Sequence, residues 1–365
     1  MKKTLNIITA VIFCIYIGGF GILHVVLPDR DFSPTENRNL SSLPDFSWET
    51  LVDGSYTADL ETYLSDQFPM RDDWMGLKAR YEYLIGKREF HDVYLCGDTL
   101  ISKITDSSRA EQNLAAIEKL LALTDKPVYL GLIPSAAEIW KDKLPDGAPN
   151  YDQGVYLEQA KDLGAIWVDV GGVLAEHADE KIYYRTDHHW TSLGAYYGYT
   201  AFMQAAGHPV PDLGEGKTVA DDFCGTLYST SGIHWLEPDT IEYYVFDDAI
   251  TVENGLTHEF GGLYDESKLQ EKDKYSSFMG GNNPLYIIRN PNATTDKTLV
   301  VVRDSYTDSL APFLSQTYSE IHLVDLRYFR TSVAGYAEEV DADEIFICYS
   351  VENFIKDADA VFIGK

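Results

Sequence analysis

The sequence is poor in cysteine and in positive charge. Cys14 lies in an apolar run, which leaves three widely spaced cysteines, Cys96, Cys224 and Cys348. An odd number at such spacing does not suit a disulfide framework or a zinc site. The chain has 29 Lys and Arg against 58 Asp and Glu, a formal net charge of -29. Nucleic acid and anionic membrane surfaces would therefore be repelled, whereas neutral polymers would not.

The N-terminus carries the one long hydrophobic run. Lys2 and Lys3 precede an apolar stretch from Leu5 to Leu27, which is long enough to span a bilayer as a helix. The stretch ends without an Ala-x-Ala cleavage site. We therefore predict an uncleaved signal anchor over residues 1–28, with a single pass through the cell membrane and the remaining chain extracellular. A cleaved and secreted form is the alternative.

Residues 29–90 are predicted to connect this segment to the main domain. Residues 29–45 are polar and carry Pro34 and Pro44, as expected of a membrane-proximal linker. From Trp48 to Lys87 apolar residues recur at helical spacing. An interruption at Pro69 predicts two amphipathic helices.

Residues 91–365 alternate between short apolar runs and helical segments. Three of these runs are 128–133, 298–302 and 344–349. The alternation predicts a parallel sheet flanked by helices, with ligands bound at the carboxyl ends of the strands. In residues 207–284, glycine- and asparagine-rich turns separate short runs of Tyr, Val and Ile, which predicts a mainly β insertion.

The segment Thr186-Asp187-His188-His189-Trp190-Thr191 concentrates polar and aromatic groups. Residues two apart in an extended segment share a face, so Asp187 can hold the ring of His189 in one tautomer. Thr191 is the expected N-cap of a helix over residues 192–206. A base oriented in this way needs a nucleophile.

Ser305 is the candidate nucleophile. It follows the apolar run 298–302 and precedes a helical segment, a turn that projects a hydroxyl above a sheet. The Gly-x-Ser-x-Gly signature is absent, and a helix cap is the alternative interpretation of Ser305 taken alone. Together, Ser305, His189 and Asp187 supply the nucleophile, base and orienting acid of serine acyl transfer.

A metal site is the competing interpretation of the motif. Asp187, His188 and His189 are all ligand types, but adjacent histidines in an extended segment point to opposite faces. No second cluster with ligand spacing accompanies them. We predict no metal and no cofactor, and we expect His188 to be a structural residue in the wall of the site.

The motif and several distant segments resemble a known family. Residues 186–191, followed by Gly194-Ala195, resemble the Asp-His-His-Trp signature of the DHHW protein family of Gram-positive bacteria. These proteins are similar to the alginate O-acetyltransferases of the SGNH hydrolase superfamily. The resemblance also takes in Glu36-Asn37-Arg38, residues 63–71, 93–100 and 223–229, Arg303-Asp304-Ser305-Tyr306, Asp325-Leu326-Arg327-Tyr328 and Tyr349.

The resemblance implies an SGNH-hydrolase-like fold and a triad at Asp187, His189 and Ser305. The acid and histidine precede the serine, which implies a circularly permuted motif order. Arg303 stands where many SGNH members have glycine, so the family pattern does not assign the oxyanion donors. Besides the Ser305 amide, the candidates for oxyanion or substrate binding are Tyr349, Asn353, Arg303, Arg327 and Tyr328.

The function implied by the resemblance is extracytoplasmic O-acetylation of a cell-surface or secreted polysaccharide through an acetyl-serine intermediate. Acetyl-CoA stays in the cytoplasm, so a membrane-bound O-acyltransferase that exports acetyl groups is the implied partner. Two alternatives remain. One is a carbohydrate acetylesterase with the same triad, and the other is a non-catalytic polysaccharide-binding or scaffold protein of an exopolysaccharide assembly complex.

Overall fold

The computed structural model describes residues 2–365. The chain folds into two compact units. One comprises the residues up to Lys87 together with 232–234, and the other comprises 88–231 and 235–365.

The N-terminal unit begins with helix α1, Lys2–Val26. Residues Thr4–Val26 are long and apolar enough to cross a membrane, with a mean hydropathy of 2.1. A helix of this kind at the N-terminus is compatible with a signal anchor and with a signal peptide. The other elements of the unit are β1 (Phe32–Ser33), β2 (Arg38–Asn39), α2 (Trp48–Asp53), α3 (Ser55–Asp66) and α4 (Arg71–Leu84).

Asp66 links the segment around β2 to the end of α3. Its carboxylate accepts hydrogen bonds from both terminal nitrogens of Arg38, at 2.9 and 2.5 Å, and from the Ser41 amide at 2.9 Å. The hydrogen bond from Arg38 is the main reason that the pKa of Asp66 is lowered to about 2. The interruption predicted at Pro69 is confirmed, because residues 67–70 separate α3 from α4. The prediction of two helices is wrong, because Gly54, in the left-handed conformation, also separates α2 from α3.

The larger unit has thirteen strands, nine α-helices and four 3-10 helices in its part of residues 2–365. The strands are β3 (Glu89–Phe90), β4 (Val93–Cys96), β5 (Thr99–Ser102), β6 (Val128–Ile133), β7 (Ile166–Trp167), β8 (Lys217–Phe223), β9 (Asp239–Tyr243), β10 (Thr251–Asn254), β11 (Phe260–Gly261), β12 (Leu285–Arg289), β13 (Thr298–Arg303), β14 (Glu320–Val324) and β15 (Glu344–Ser350). The α-helices are α5 (Ala110–Leu123), α6 (Ala136–Ile139), α7 (Gln153–Lys161), α8 (Val170–Glu176), α9 (Ser192–Ala206), α10 (Thr226–Ser231), α11 (Thr307–Leu314), α12 (Val333–Glu339) and α13 (Val351–Phe354). The 3-10 helices are Lys141–Lys143, Glu266–Gln270, Lys274–Ser277 and Ala360–Gly364.

An eight-stranded sheet with the order β11-β10-β12-β14-β13-β15-β6-β7 forms the centre of this unit. The five strands from β14 to β7 are parallel, whereas β12, β10 and β11 are antiparallel to their neighbours. The sheet is therefore mixed, whereas the sequence pattern predicts a parallel one. Only the short segment 290–297 joins β12 to β13. This segment is too short for the crossover connection that two parallel strands need, so the chain reverses direction between β12 and β13.

The central strands are covered on both faces, since every residue of β6 and β15 is buried. Helices α8, α9 and α11 pack together, and α5 packs with α12 and the last 3-10 helix. Within residues 207–284, β8 and β9 form a separate two-stranded sheet, whereas β10 and β11 extend the central sheet. The carboxyl ends of β13, β15 and β6 lie side by side, since Arg303 is opposite Cys348 and Ser350 is opposite Ile133.

Candidate active site

Residues 182–191 form a short hairpin, closed by the Thr191 amide donating to the carbonyl of Ile182 at 3.0 Å, and the Asp-His-His motif lies at its tip. Tyr183 bridges Trp190, and the Tyr184 amide donates to the carbonyl of His189 at 3.2 Å. We call residues 182–191 the motif hairpin. The tip bends, which differs from the extended segment predicted from the sequence. The rings of His188 and His189 consequently lie side by side, with centroids 3.9 Å apart.

Trp190 fixes the hairpin to the element that carries Ser305. Its buried indole donates from Nε1 to the carbonyl of Tyr306 at 2.9 Å and lies 3.0 Å from Ser309 Oγ. On the other side, the ring contacts α9 at Gly198, where an added Cβ would lie 2.6 Å from the indole. The predicted cap is confirmed: Thr191 accepts a hydrogen bond from the Gly194 amide, and α9 spans Ser192–Ala206.

The three predicted triad residues are in direct contact. His189 Nε2 lies 2.8 Å from Ser305 Oγ, and His189 Nδ1 lies 2.6 Å from Asp187 Oδ1. The same carboxylate oxygen accepts the backbone amide of His189 at 2.9 Å. An ionised Asp187 accepts the Nδ1 proton, so Nε2 is left free to accept the proton of the serine hydroxyl.

The second oxygen of Asp187 is held by Thr226. It accepts the Thr226 amide at 2.7 Å and the Thr226 hydroxyl at 2.9 Å. Gly225 makes this approach possible, because a Cβ there would lie 2.3 Å from the Asp187 side chain. Burial alone would raise the pKa of Asp187, but the charges of His188 and His189 and these hydrogen bonds lower it far below its ordinary value.

Tyr275 covers the imidazole of the base. Its ring is stacked on His189 with centroids 3.8 Å apart and planes inclined by 9°. The Tyr275 hydroxyl donates to the carbonyl of Ser305 at 3.0 Å and lies 3.0 Å from Ser309 Oγ. One buried residue therefore orients both the base and the turn of the nucleophile.

The turn at Ser305 is held from below by Asp304, which is fully buried. Its Oδ2 accepts the Ser350 amide at 2.9 Å, the Ser350 hydroxyl at 2.7 Å and Asn353 Nδ2 at 2.8 Å. Its Oδ1 accepts the amide of Tyr306 at 3.1 Å. These bonds connect the ends of β13 and β15. The Ser305 amide has no acceptor among residues 2–365, so it is free to donate to a reacting oxygen.

The other candidate residues lie in different surroundings. Arg303 is fully buried, and its Nη1 donates to Asp308 Oδ1 at 2.6 Å. The buried Tyr349 hydroxyl lies 3.5 Å from Asp357 Oδ2. Arg327 forms an ion pair with Asp325 at 2.6 Å, and 56% of the Tyr328 surface is exposed. Asn353 contacts the serine turn through Asp304, whose other carboxylate oxygen accepts the Tyr306 amide.

Three residues of the site, Tyr275, Thr226 and Gly225, have no predicted role in the sequence analysis. Tyr275 lies in residues 207–284, where the sequence pattern indicates only an insertion. Thr226 and Gly225 belong to the segment 223–229, which contributes to the family resemblance. That segment is the available signal, but its contact with Asp187 depends on the tertiary fold.

The three residues of the motif that could bind a metal ion are close together. One ligand atom from each of Asp187, His188 and His189 lies within 4.8 Å of the others. These atoms already have partners in the protein, since His188 Nδ1 lies 2.7 Å from the Thr226 hydroxyl and the His189 nitrogens face Asp187 and Ser305. A metal ion would have to replace part of this hydrogen-bonded chain. Burial, followed by the charge of His189, lowers the pKa of His188.

Comparison with known proteins relates about three quarters of the chain to solved structures. A DHHW family protein from Eubacterium siraeum DSM 15702 is 23% identical, with a TM-score of 0.63, and the match covers 74% of this chain and 96% of that one. Bacillus cereus PatB1, solved with a sulfonyl adduct, is 19% identical, with a TM-score of 0.62 and coverage of 75% and 98%. The O-acetyltransferase domain of Pseudomonas putida AlgJ is less similar, at 16% identity, a TM-score of 0.47 and coverage of 73% and 93%.

No curated protein sequence matches the chain. The family model described as DHHW protein matches residues 36–125 and 154–324, which are well over half of the chain and include the motif hairpin. The protein therefore belongs to the DHHW protein family.

Proposed function

We propose that this protein is an extracytoplasmic O-acetyltransferase that acetylates hydroxyls of a cell-surface or secreted polysaccharide. The observation that carries the proposal is the hydrogen-bonded chain from Asp187 through His189 to Ser305, with distances of 2.6 and 2.8 Å. An acid, a base and a serine in this order activate a hydroxyl for acyl transfer. Membership of the DHHW family supports the same conclusion.

The first half of the reaction forms an acetyl-serine. Ser305 Oγ attacks the acetyl carbonyl of the donor while His189 Nε2 takes the proton of the serine hydroxyl. The tetrahedral intermediate collapses, the bond to the donor oxygen breaks, and the imidazolium returns the proton to that leaving oxygen. Asp187 stabilises the imidazolium, because its carboxylate is held ionised and oriented.

The second half transfers the acetyl group to the acceptor. A sugar hydroxyl attacks the acetyl-serine carbonyl, and His189 takes the proton of that hydroxyl. Collapse of the second intermediate releases the sugar ester and returns the proton to Ser305. The free amide of Ser305 is the leading oxyanion donor, and the second N–H of the Asn353 side chain is the companion candidate, because the first is bonded to Asp304.

The N-terminal helix supports an arrangement at the membrane. We propose that α1 anchors the chain, with the catalytic unit outside the cytoplasm, and that a membrane-bound O-acyltransferase supplies acetyl groups. This partner would be needed because acetyl-CoA is cytoplasmic. Carbohydrate acetylesterase activity is the second candidate function, favoured by the partial exposure of Ser305 to solvent. Water would then replace the sugar hydroxyl in the second half of the reaction.

The test is acetylation of the full chain, in detergent micelles, by p-nitrophenyl acetate. Intact-mass analysis should detect one acetyl group on the wild type and none on Ser305→Ala. Ser135→Ala is the matched control, because Ser135 also follows the carboxyl end of a sheet strand but caps α6. Equal labelling of Ser305→Ala and wild type would refute the triad, as would a wild type that neither labels nor hydrolyses the ester.

The two candidate functions differ in where the acetyl group goes. Addition of neutral oligosaccharides to the acetylated enzyme should yield acetylated sugar if the protein is a transferase. Release of free acetate alone, at a rate that no tested sugar changes, would favour the esterase.

A further inference from the structure

The larger unit has a cavity on the stem of the motif hairpin, separate from the triad. This cavity has a volume of about 390 Å³ and is lined by residues 180–181, 183–185, 191–193, 238–240 and 242. We call it the stem cavity. Asp187, His189 and Ser305 do not line it. Its volume falls within the range of roughly 300 to 1,000 Å³ that is typical of small-molecule sites.

The polar groups of the stem cavity suit a neutral ligand rich in hydroxyl groups. Carboxylates of Glu180, Asp239 and Glu242 lie in the lining, and each keeps acceptor sites beyond its protein hydrogen bonds. Lys181 offers a donor, whereas the Arg185 guanidinium already donates to Asp239, Asp98 and two backbone carbonyls. There is no excess of positive charge to attract an anion. Glu180 and Asp239 are engaged with protein donors, and these carboxylates do not form a three-ligand metal cluster in the described part of the chain. Lys181 is exposed and has no ion-pair partner among residues 2–365.

A second cavity of about 470 Å³ lies along α9. Glu180 connects the two, because its carboxylate lies 2.7 Å from His177 Nδ1 and accepts the Tyr197 hydroxyl at 2.9 Å. His177 and Tyr197 both line the second cavity, and their rings are stacked at 3.7 Å. Aromatic rings beside carboxylates suit the alternating apolar faces and hydroxyls of a saccharide chain.

Asp239 connects the stem cavity to the catalytic motif. One carboxylate oxygen faces Arg185 Nε at 3.2 Å. The other accepts the amide and the hydroxyl of Thr186, at 2.8 and 2.6 Å. Thr186 directly precedes the catalytic acid, so a ligand that contacts Asp239 would act next to the carboxylate that orients the base.

We propose that the stem cavity is a saccharide-binding subsite, distinct from the triad, that holds a neutral segment of a polysaccharide. This proposal rests on the proposed function, because it identifies a second contact for the polymer that Ser305 would acetylate. The subsite would raise the affinity for a chain over that for a single sugar, since two linked contacts bind more tightly than either alone.

The test measures binding without catalysis. Chitotetraose and cellotetraose are titrated calorimetrically into the full-length Ser305→Ala protein in detergent micelles, with tetra-alanine as the competing polymer class. Thr240→Trp places an indole in the stem cavity, because Thr240 lines it and is exposed on β9. Thr251→Trp makes the same change at an exposed position of β10, which does not line the cavity.

At least one tetrasaccharide should bind the parent protein. Thr240→Trp should weaken that binding by about tenfold or more, Lys181→Ala by a smaller factor, and Thr251→Trp should leave it unchanged. The proposal is overturned if neither tetrasaccharide binds, if Thr240→Trp and Thr251→Trp bind equally well, or if tetra-alanine binds in place of the sugars.

Labelling by p-nitrophenyl acetate separates this proposal from the proposed function. With Ser305 restored, Thr240→Trp should still form the acetyl-enzyme, because the small ester does not use the stem cavity. Labelling without tetrasaccharide binding would refute the subsite alone. Binding without labelling would refute the acetyltransferase and leave a polysaccharide-binding protein.

Discussion

The ring of Tyr275 lies parallel to the imidazole of His189, with centroids 3.8 Å apart. The base is thus fixed in two directions, along its plane by Asp187 and across its face by Tyr275. Tyr275 also reaches the nucleophile turn, since its hydroxyl donates to the carbonyl of Ser305. Its two contacts can be removed separately by substitution.

Tyr275→Phe should keep the stack and lose the hydrogen bonds, with a decrease in kcat of about fivefold, equivalent to a net hydrogen bond of about 1 kcal/mol. Tyr275→Leu should also remove the stack and decrease kcat by a further factor of about ten, since the imidazole can then turn. Turnover of p-nitrophenyl acetate measures both. Equal activity of Tyr275→Leu and Tyr275→Phe would show that the stack does not matter.

Gly225→Ala should displace the catalytic acid. An added Cβ would lie 2.3 Å from the Asp187 side chain, closer than any real contact. We expect turnover to fall by roughly 100-fold, or about 3 kcal/mol of transition-state stabilisation. Gly261→Ala is the control, because a Cβ there has no neighbour within 4 Å. The prediction is wrong if both variants retain wild-type turnover.

Asp187→Asn should remove the charge that stabilises the imidazolium and decrease kcat by roughly 10³- to 10⁴-fold. The pKa of Asp187 is held far below its ordinary value, because the charges of His188 and His189 and its hydrogen bonds outweigh burial. A depressed carboxyl pKa favours the folded state above the unfolded pKa, and this advantage is lost as the pH falls through the folded value.

Asp187 should consequently stay ionised across the acid limb of the pH–rate profile. Kinetics of p-nitrophenyl acetate hydrolysis from weakly acidic to neutral pH measure that limb. A second protonation step in the weakly acidic range that disappears in Asp187→Asn would contradict the assignment. The folded state of the variant can be checked by circular dichroism.

Arg303 and Asp308 form a buried ion pair, so removal of the arginine alone should destabilise the fold. Burial raises the pKa of Asp308 to about 7 even though Arg303 opposes this shift. Arg303→Met would leave Asp308 without its partner, with a loss of about 3 to 5 kcal/mol in the free energy of unfolding. Arg303→Met/Asp308→Leu should recover much of that loss. Thermal denaturation measures the three proteins, and a double variant no more stable than Arg303→Met would argue against the pair.

Local patterns in the sequence are sufficient to predict several elements. Thr191 and the helix 192–206 are predicted to the residue, because a cap and an apolar helix face are written in neighbouring positions. The turn after β13 is predicted from a buried run followed by Asp-Ser. The proximity of Ser305 to His189 follows from combining two distant signals with the chemistry that each requires.

Local sequence patterns do not predict contacts between residues that are far apart in the chain. The extended geometry expected for Asp187 to His189 is wrong, because the hairpin that bends them depends on Trp190 packing against α9. The stack of Tyr275 on His189 joins residues far apart in the chain, and no periodicity encodes it. The short segment 290–297 indicates a reversal of the chain, but it does not specify that β14 pairs between β12 and β13.

The position of β15 in the sheet constrains the order in which the protein is assembled. β15 lies between β6 and β13, although it is the last of the fifteen strands in the described chain. A chain emerging from its N-terminus would therefore present β6 with an unpaired edge until residues 344–350 arrive. Asp304 obtains its Ser350 partner only at that moment. We expect the serine turn to be the last part of the site to become rigid during synthesis, so that incomplete chains would lack the assembled nucleophile.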